Sequence, residues 1–442
     1  MGLYLRDDIV ALATPKGFGA LAIVRVSGSS LKSLFKKIAE VKAPVSRHAY
    51  YKKFKSEKGD VIDNVVITLF SSPKSFTGED IIEICCHGGD VISALIIDEL
   101  VMMGCRHANA GEFSKRAYLN GKISLAQAES IDFMIKSTNK IQARNGIMSF
   151  EGGIKKDINR IKKTIYKILE IVEHELDFTE DEITHTTEQE IKLKLESVKE
   201  SLELLIFSGA HLNRYSGGVR VCIAGKPNAG KSTLFNKILG YDRVLVSSEK
   251  GTTRDSVEAE IIISSVIFTL IDTAGYWKGK DALDRLGIEK TMNEIEKSDI
   301  IIYLDENNPH LFSKNFSEFK NKPSLYVKSK SDLSKNNKKI KNEINVSSKN
   351  GEGVDDVLTS LSTLALSRFM PENSHITSTR QVALLKKANT TINNTINTLD
   401  AIDMVQLSSL LRACLDDMED IVGKVNNDKV LNSLFAGFCV GK

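Results

Sequence analysis

Short apolar runs separated by glycine turns fill the first part of this chain, from residue 1 to about residue 120. Four of these runs are typical of strands: DIVALAT (8–14), GALAIVRVSG (19–28), DNVVITLF (63–70) and EDIIEICCHGG (79–89). The longer apolar stretch that begins at Asp90 predicts a helix ending at Gly104. We therefore predict a mixed α/β domain at residues 1–120.

The apolar spacing changes to three or four residues in the segment 121–213, which indicates long helices. One face would carry Ile154, Ile158, Ile161, Ile165, Ile168, Val172 and Leu176. The same spacing returns in the segment 376–442, at Leu384, Ile392, Ile396, Leu399, Leu407, Leu411, Leu415 and Met418. We interpret the two segments as one helical bundle encoded in two pieces, although two separate small bundles would also fit.

Strands and helices alternate in the segment between them, residues 214–375. The predicted strands are VRVCIAG, VIFTLIDTAG, SDIIIYLDE, KPSLYVKS and NEINVSS. This alternation predicts a mostly parallel sheet with helices on both faces. The predicted fold class is thus multidomain, with an α/β N-terminal domain, an all-α helical domain and an α/β domain inserted into the helical one.

Composition adds constraints on class and location. A chain of 442 residues is longer than one hydrophobic core usually supports, and a net charge of +3 neither indicates nor excludes a nucleic-acid partner. We find no apolar run of the ~18 residues that a membrane helix needs, and we expect a cytoplasmic protein. The cysteines lack the spacing of a disulfide framework or a zinc site, at positions 85, 86, 105, 222, 414 and 439.

The chain stops at FCVGK, residues 438–442, and this ending has three interpretations. Lipidation is disfavoured, because Gly441 and Lys442 do not match a prenylation signal. A frayed end of an apolar helix is the simplest alternative. The third interpretation is that these residues belong to a site.

The segment GKPNAGKS, Gly225 to Ser232, matches the phosphate loop of nucleotide-binding proteins. It follows an apolar strand and precedes a helix, which is the context the motif requires. Lys231 would bridge the terminal phosphates and the Ser232 hydroxyl would bind Mg²⁺. We predict nucleotide contacts from Asn228, Ala229, Gly230, Lys231, Ser232 and Thr233.

Two further segments indicate that the base is guanine. Asp332 in SKSD occupies the position at which a carboxylate accepts two hydrogen bonds from guanine, and adenine has no donors there. Ser329 stands where this motif usually has asparagine. With DTAG and VSSK, the predicted contacts are Asp272, Thr273, Ala274, Gly275, Ser329, Lys330, Asp332, Ser347, Ser348 and Lys349. The inserted domain is therefore predicted to be a P-loop GTPase domain.

The segment GTTRD, Gly251 to Asp255, lies where a switch loop is expected. Thr253 would bind Mg²⁺ when the γ-phosphate is present. Tyr276 follows DTAG in place of a glutamine that could position water, and no arginine finger is obvious, although Arg254 is a candidate. Positive charge for the transition state must then come from elsewhere.

At this point the chain resembles the bacterial MnmE (TrmE) family of tRNA-modification GTPases, nearly from end to end. The resemblance rests on ATPKGFGALAIVRVSG, SFTGEDIIEICCHGG, GEFSKRAYLNGKISLAQAES, GKPNAGKSTLFN, GTTRD, DTAG and the terminal FCVGK. It implies a folate-binding N-terminal domain that dimerises. It also implies a flavin-containing (FAD) partner subunit, MnmG (GidA), in a heterotetramer that acts on tRNA. Together they would build an aminomethyl or carboxymethylaminomethyl group on carbon 5 of the wobble uridine, with the one-carbon unit from a tetrahydrofolate.

The same resemblance assigns roles to individual residues. It implies folate contacts from Arg25, Glu83, Lys122 and Lys442. It implies a K⁺ ion in place of the arginine finger, bound by Asn228 and by oxygens of the loop that contains Ser247, Ser248, Glu249, Lys250, Gly251 and Thr252, with Ser247, Glu249 and Thr252 as ligands. Asp284 occupies the position of the family's water-organising glutamate and is one methylene shorter. Cys439 would be either a nucleophile or a buried thiol.

A second function class fits the same motifs. The chain could be a regulatory switch GTPase similar to ribosome-assembly factors, with the N-terminal domain only a docking module. Saturable binding of formyl-tetrahydrofolate distinguishes the two, because only the tRNA-modifying enzyme would need it.

Overall fold

The structure is a computed structural model, and it describes residues 7–137, 139–177, 188–209, 218–241, 245–246, 257–264, 266–272, 291–333, 342–369, 373–423 and 428–441. The chain divides into two compact units. One unit comprises Met1–Asp132, Phe150–Val198 and Thr390–Lys442, and the other comprises Phe133–Ser149 and Lys199–Asn389. Each unit is built around its own sheet, as described below.

The first unit contains a six-stranded sheet. Its strands are β1 (Ile9–Leu12), β2 (Leu21–Gly28), β3 (Ala49–Lys55), β4 (Val61–Phe70), β5 (Asp80–His87) and β6 (Arg106–His107). The order is β3-β4-β5-β2-β1-β6, and every pair is antiparallel except β1 with β6. The four predicted strands are confirmed. Strand β3 was not predicted, because AYYKKFK at the sheet edge mixes aromatic residues with three lysines and lacks an apolar run.

Two helices cover the inner face of this sheet, α1 (Lys32–Ala39) and α2 (Asp90–Met102). Their buried side chains join those of the strands in one apolar core. Helix α2 ends as the sequence predicts, because Gly104 adopts φ +106° and the following Cys105 amide donates to the Leu100 carbonyl at 3.0 Å.

The remaining helices of the chain, in order, are α3 (Glu112–Leu119), α4 (Leu125–Ile135), α5 (Lys140–Phe150), α6 (Gly153–Asp177), α7 (Glu188–Gly209), α8 (Lys231–Leu239), α9 (291–297), α10 (Pro309–Ser313), α11 (Val354–Phe369), α12 (Thr379–Thr398), α13 (Met404–Val422) and α14 (Asp428–Ala436). None of the described helices is long and apolar enough to cross a bilayer.

Helix α6 follows its predicted periodicity over nearly its whole length. The six apolar positions from Ile154 to Val172 are buried, whereas Leu176 in the last turn is exposed. Helix α13, from the other predicted helical segment, packs against α6, and Lys162 Nζ lies 2.6 Å from Glu419 Oε1. Two segments separated by more than 200 residues of chain thus pack as neighbours.

The second unit contains a seven-stranded sheet. Its strands are β7 (Val219–Gly225), β8 (Leu245–Val246), β9 (Val257–Ile263), β10 (Val266–Asp272), β11 (Ile300–Asp305), β12 (Ser324–Lys328) and β13 (Glu343–Asn345). The order is β13-β12-β11-β7-β10-β9-β8. Five neighbouring strands run parallel, β13, β12, β11, β7 and β10, which confirms the mostly parallel sheet. Strands β9 and β8 add an antiparallel edge that was not predicted.

Helices lie on both faces of this sheet, as expected for parallel strands that are buried on both sides. Leu234 of α8 and Leu361 of α11 belong to the core on one face. On the other face, Ile295 of α9 and Phe312 of α10 pack around Tyr303. The multidomain fold class is therefore confirmed.

Candidate functional site

The predicted phosphate loop joins β7, the central strand of the second sheet, to α8. Gly225 ends β7 so close to β11 that a Cβ atom there would lie 2.4 Å from the Leu304 carbonyl oxygen. Asn228 and Gly230 have φ of +64° and +92°, which turns the loop and points the first amide groups of α8 outward. This geometry provides backbone donors for an anion at a helix N-terminus.

Lys231 is folded back across this loop. Its side chain is buried, and Nζ donates to the carbonyl oxygens of Gly225 at 2.8 Å and Lys226 at 2.9 Å. Burial lowers the pKa of the Lys231 ammonium, and the negative charge of Asp272 partly opposes that shift. A phosphate would be a stronger acceptor than either carbonyl, so the lysine ammonium is positioned to exchange these carbonyl acceptors for phosphate oxygens. Ala229 is buried beside it, while Ser232 and Thr233 are exposed at the start of α8.

Asp272 lies next to this lysine because β10 and β7 are parallel and in register, with Asp272 opposite Ile223. Its carboxylate is buried at the carboxyl end of β10. Parallel strands bring their carboxyl ends to one edge of the sheet, where ligands of such folds bind. Ser232, the predicted Mg²⁺ ligand, and Asp272 are therefore at the same edge.

Asp305 is a residue of this edge that was not predicted from the sequence. It ends β11, is 2% exposed, and accepts the amide hydrogens of Asn307 and Asn308 at 2.8 Å each. Its carboxylate also pairs with Lys226 Nζ at 3.2 Å, which ties β11 to the phosphate loop. Burial alone would raise the pKa of Asp305, but these hydrogen bonds and Lys226 hold it below its ordinary value. Two acidic residues followed by two asparagines, DENN (305–308), at the end of a buried strand were the available signal.

The predicted base-recognition residues follow β12 and β13. Lys330 adopts φ +56° and pairs with Glu306 at 2.6 Å, and Asp332 is exposed in the short turn that comes next. The Ser331 amide donates to the Val346 carbonyl at 3.2 Å, which joins this turn to the segment Ser347–Lys349. Ser347 is buried, Ser348 half-buried and Lys349 exposed.

Ser329 differs from the rest of this segment. It is 2% exposed, and its Oγ has no hydrogen-bond partner among the described residues. Its amide donates to the Asp305 carbonyl at 3.0 Å, so the backbone is held although the hydroxyl is not.

Several predicted residues fall outside the described part of the chain. They are Ser247, Ser248, Glu249, Lys250, Gly251, Thr252, Thr253, Thr273, Ala274, Gly275, Asp284 and Lys442. Their roles stay predictions.

A second polar site lies in the first unit, on β2 and β5. Arg25 and Glu83 face each other across these strands, and Glu83 Oε1 accepts from Arg25 Nη2 at 2.7 Å and from Nε at 3.0 Å. The guanidinium lies about 6 Å from the ring centres of Phe76 and Phe113. Lys122, the third predicted folate residue, donates to the Pro73 carbonyl at 2.9 Å and so holds the loop that carries Phe76.

The end of the chain reaches this same site. Arg25 Nη1 donates to the Gly441 carbonyl at 3.4 Å, and the Gly111 amide donates to the Cys439 carbonyl at 3.3 Å. Gly441 has φ +91°, and a Cβ atom there would lie 2.1 Å from the Leu12 carbonyl oxygen. The frayed-end interpretation is therefore wrong. The interpretation of Cys439 as a buried thiol is also wrong, because its side chain is exposed.

An apolar cluster anchors this C-terminal tail. Leu431 and Phe435 of α14 are buried against Tyr118 of α3 and Leu125 of α4. The tail therefore leaves a helix that is itself fixed to the N-terminal domain.

Comparison with known proteins places this architecture. The family model "GTP-binding protein TrmE N-terminus" matches residues 8–122, and the model "MnmE helical domain" matches residues 125–439. The chain belongs to the MnmE family. The MnmE helical-domain match encloses the whole segment that was predicted as an insert, residues 214–375.

Several members of this family are similar to the chain over nearly its full length. The protein named "tRNA modification GTPase MnmE" of Thermotoga maritima is 34% identical, covering 99% of this chain and all of that protein. Those of Flavobacterium johnsoniae and Sulfurimonas denitrificans are 34% and 31% identical, each covering 99% of this chain and of the relative. Among solved structures, the G domain of the T. maritima FeoB iron transporter is 20% identical with a TM-score of 0.25, covering 33% of this chain and 98% of that one.

Proposed function

We propose that this chain is the GTP-hydrolysing subunit of a complex that modifies carbon 5 of the wobble uridine of tRNA. As a member of the MnmE family, the chain is a GTPase that acts in tRNA modification. The group added would be aminomethyl or carboxymethylaminomethyl, with its one-carbon unit taken from a tetrahydrofolate. The observation that carries the proposal is the C-terminal tail on Arg25, because it joins the last residues and the Arg25–Glu83 pair in one site.

GTP would bind at the carboxyl edge of the second sheet. Lys231 would exchange two carbonyl acceptors for phosphate oxygens, which form stronger, charge-assisted hydrogen bonds. Asp332, exposed beside Ser347–Lys349, would accept the two ring-edge donors of guanine. Each of those hydrogen bonds contributes about 1.5–3 kcal/mol, which is enough to exclude adenine.

Mg²⁺ fits the same edge. Ser232 presents an exposed hydroxyl one residue after Lys231, and the buried Asp272 carboxylate faces the lysine from the next strand. No group of three or more His, Cys, Asp or Glu within the described ranges could hold a metal ion without further ligands. Mg²⁺ suits such a site, since it commonly takes most of its ligands from phosphates and water. Thr253 would complete the set with the γ-phosphate present, and the ion would neutralise charge on the phosphates.

A K⁺ ion would stabilise the transition state of hydrolysis. Asn228 is exposed at the tip of the phosphate loop with φ +64°, so its side-chain amide oxygen is accessible. Ser247, Glu249 and Thr252 would add oxygen ligands when two GTPase domains meet, and Asp284 would orient the attacking water. A cation at this position would offset the charge that develops on the phosphates.

Hydrolysis rates in KCl and NaCl test this role of Asn228. The wild type should be faster in KCl, and Asn228→Ala should reduce the KCl rate to the NaCl rate. Asn236→Ala, on the exposed face of α8, is the matched control and should keep the difference. Equal wild-type rates in the two salts would remove the ion from the mechanism.

The N-terminal site suits a folate in its chemistry. A folate has a flat ring with donors and acceptors and an anionic glutamate tail. Glu83 supplies an acceptor, Arg25 and Lys122 supply cationic donors, and the exposed ring of Phe76 supplies an apolar wall. Lys442 follows Gly441 directly and would contribute a fourth charged group.

A homodimer would cover the outer face of the first sheet. Tyr51, Val66, Cys85 and Ile23 lie side by side across four strands, and all four are at least partly exposed. Such a row of apolar and aromatic side chains is typical of an interface between subunits. The FAD-containing MnmG subunit and tRNA would complete the assembly in the cytoplasm.

Mass spectrometry of wobble uridines from cells that lack this chain tests the function directly. We expect unmodified wobble uridines in these cells. Expression of the wild type should restore the modification, whereas Lys231→Ala and a chain without Lys442 should not. A titration of the purified proteins with formyl-tetrahydrofolate should give saturable binding that the Lys442 deletion weakens. Normal wobble uridines in the deletion strain would contradict the proposal and favour the regulatory switch GTPase.

A further inference from the structure

Helix α6 concentrates positive charge that the nucleotide and folate sites do not use. Between residues 155 and 167 it carries six cationic side chains and one acidic one, although the whole chain has a net charge of only +3. Burial separates the two sides of this helix: Ile158, Ile161 and Ile165 face the core, and Lys156, Arg160, Lys163 and Lys167 are exposed on the opposite side.

Most of these exposed cations are not neutralised by neighbours. Lys156, Lys163 and Lys167 have no carboxylate within 4 Å in the part of the chain that the structure describes. Arg160 has a partner in Asp157, but the distance of 3.8 Å is long for an ion pair and the arginine side chain is 75% exposed. Lys162 differs, because its ammonium is paired with Glu419 and only 14% exposed. The charge on the outer face therefore points to solvent.

The same face has a shallow concavity between its side chains and an aromatic ring. A concavity of about 350 Å³ runs along the helix, lined by Asn159, Lys162, Lys163, Tyr166, Lys167 and Glu170. Tyr166 is 46% exposed, and Lys162 Nζ lies 5.9 Å from its ring centre, so the paired lysine holds the phenol in place. Glu170 marks the end of the basic stretch, beyond which Glu173 and Glu175 follow.

We propose that this surface, which we call the α6 basic face (Lys156, Asn159, Arg160, Lys163, Tyr166 and Lys167), binds the sugar–phosphate backbone of RNA. Charge complementarity favours this partner, since exposed lysine and arginine side chains are the groups that neutralise phosphates. The row from Lys156 to Lys167 is about 16 Å long at 1.5 Å per residue, with cations about one turn apart. An exposed tyrosine among them adds a surface on which an unpaired base can stack. The inference rests on the proposed function, in which tRNA is the substrate.

The test measures binding of the full chain to a fluorescein-labelled unmodified tRNA transcript by anisotropy, between about 50 and 200 mM salt. The variant Lys156→Gln/Lys163→Gln/Lys167→Gln should bind at least tenfold more weakly. The slope of log affinity against log salt should fall by about 2 to 3, because each phosphate contact contributes about 0.7–0.9. Its GTP hydrolysis without RNA should equal that of the wild type, which also shows that the variant folds.

A matched variant separates a local surface from net charge. Lys32→Gln/Lys36→Gln/Lys37→Gln removes the same three charges from the exposed side of α1 and should keep wild-type affinity and slope. Equal losses in both variants, or no loss in the α6 variant, would overturn the proposal. The proposal would also be overturned if the α6 variant kept its RNA affinity but no longer bound the flavin-containing partner, because the α6 basic face would then be a protein-binding surface. Any of these results leaves the proposed function standing if wobble uridines in deletion cells are unmodified.

Discussion

Replacing Gly441 by alanine should release the C-terminal tail from its site while the rest of the protein stays folded. The added Cβ would lie 2.1 Å from the Leu12 carbonyl oxygen and 3.0 Å from the Ala13 Cα atom. Both are backbone atoms at the end of β1, which is hydrogen-bonded to strands on either side and cannot move aside. The φ of +91° adds about 1–2 kcal/mol for any residue with a Cβ.

The contacts that seat the tail are too weak to offset this cost. Two long hydrogen bonds, at 3.3 and 3.4 Å, hold Cys439 and Gly441, and each contributes on the order of 1 kcal/mol. We therefore expect the tail to dissociate. Leu431 and Phe435 keep their core contacts, so the melting temperature should fall by only a few degrees.

Folate affinity is the sensitive measurement. If Lys442 contributes one charged hydrogen bond of about 1.5–3 kcal/mol, losing it weakens binding about ten- to a hundredfold. Isothermal titration calorimetry with formyl-tetrahydrofolate measures this change. Gly437→Ala is the matched control, because its Cβ would meet only Leu434 O at an ordinary 3.5 Å. Wild-type affinity in Gly441→Ala, beside weak binding by a chain without Lys442, would refute the reasoning about this glycine.

Three further predictions follow from buried or exposed polar groups. Lys231→Ala should abolish GTP hydrolysis. It should leave the melting temperature of the nucleotide-free protein almost unchanged, since burial already disfavours this ammonium. Lys237→Ala is the control, and GTP hydrolysis that persists in Lys231→Ala would contradict the assignment. Burial alone would raise the pKa values of Asp7 and Glu112, but Arg106 and Arg116 hold them below their ordinary range. The stability that these carboxylates contribute should therefore be lost as the pH falls below about 5. In thermal melts, the melting temperature of Arg106→Gln should depend less on pH in this range. Asp8→Asn is the opposite control. Burial raises the pKa of Asp8, so removing its negative charge should make the protein more stable at neutral pH. A lower melting temperature of this variant at neutral pH would contradict the expected direction. Cys439 is exposed and should react with a thiol reagent near pH 8 faster than Cys86, Cys105 and Cys414, because burial raises the pKa of Cys86 to about 11 and of Cys105 and Cys414 to about 12. In a chain whose half-buried Cys85 is replaced by serine, a fast phase that survives Cys439→Ser would disprove this.

Local sequence was sufficient where the structure depends on neighbours along the chain. The phosphate loop could be predicted because its turn needs Gly230 just before a helix, and the end of α2 because Gly104 permits a positive φ. The buried stripe of α6 follows from a helical period that is visible in the sequence. Strand β3 and residue Asp305 were missed, since their roles come from sheet partners and from Lys226.

The sequence by itself determined most of the elements, their order and the nucleotide motif, since each of these depends on residues within one turn or strand. Only the tertiary structure decided that Arg25 meets both Glu83 and the Gly441 carbonyl, because pairing of β2 with β5 and packing of α14 on α3 bring together residues up to 416 positions apart. It also decided that Lys162 of α6 pairs with Glu419, whereas Lys156, Lys163 and Lys167 have no carboxylate partner among the described residues. Charge in a sequence does not show which carboxylates will be near it, and that is set by packing.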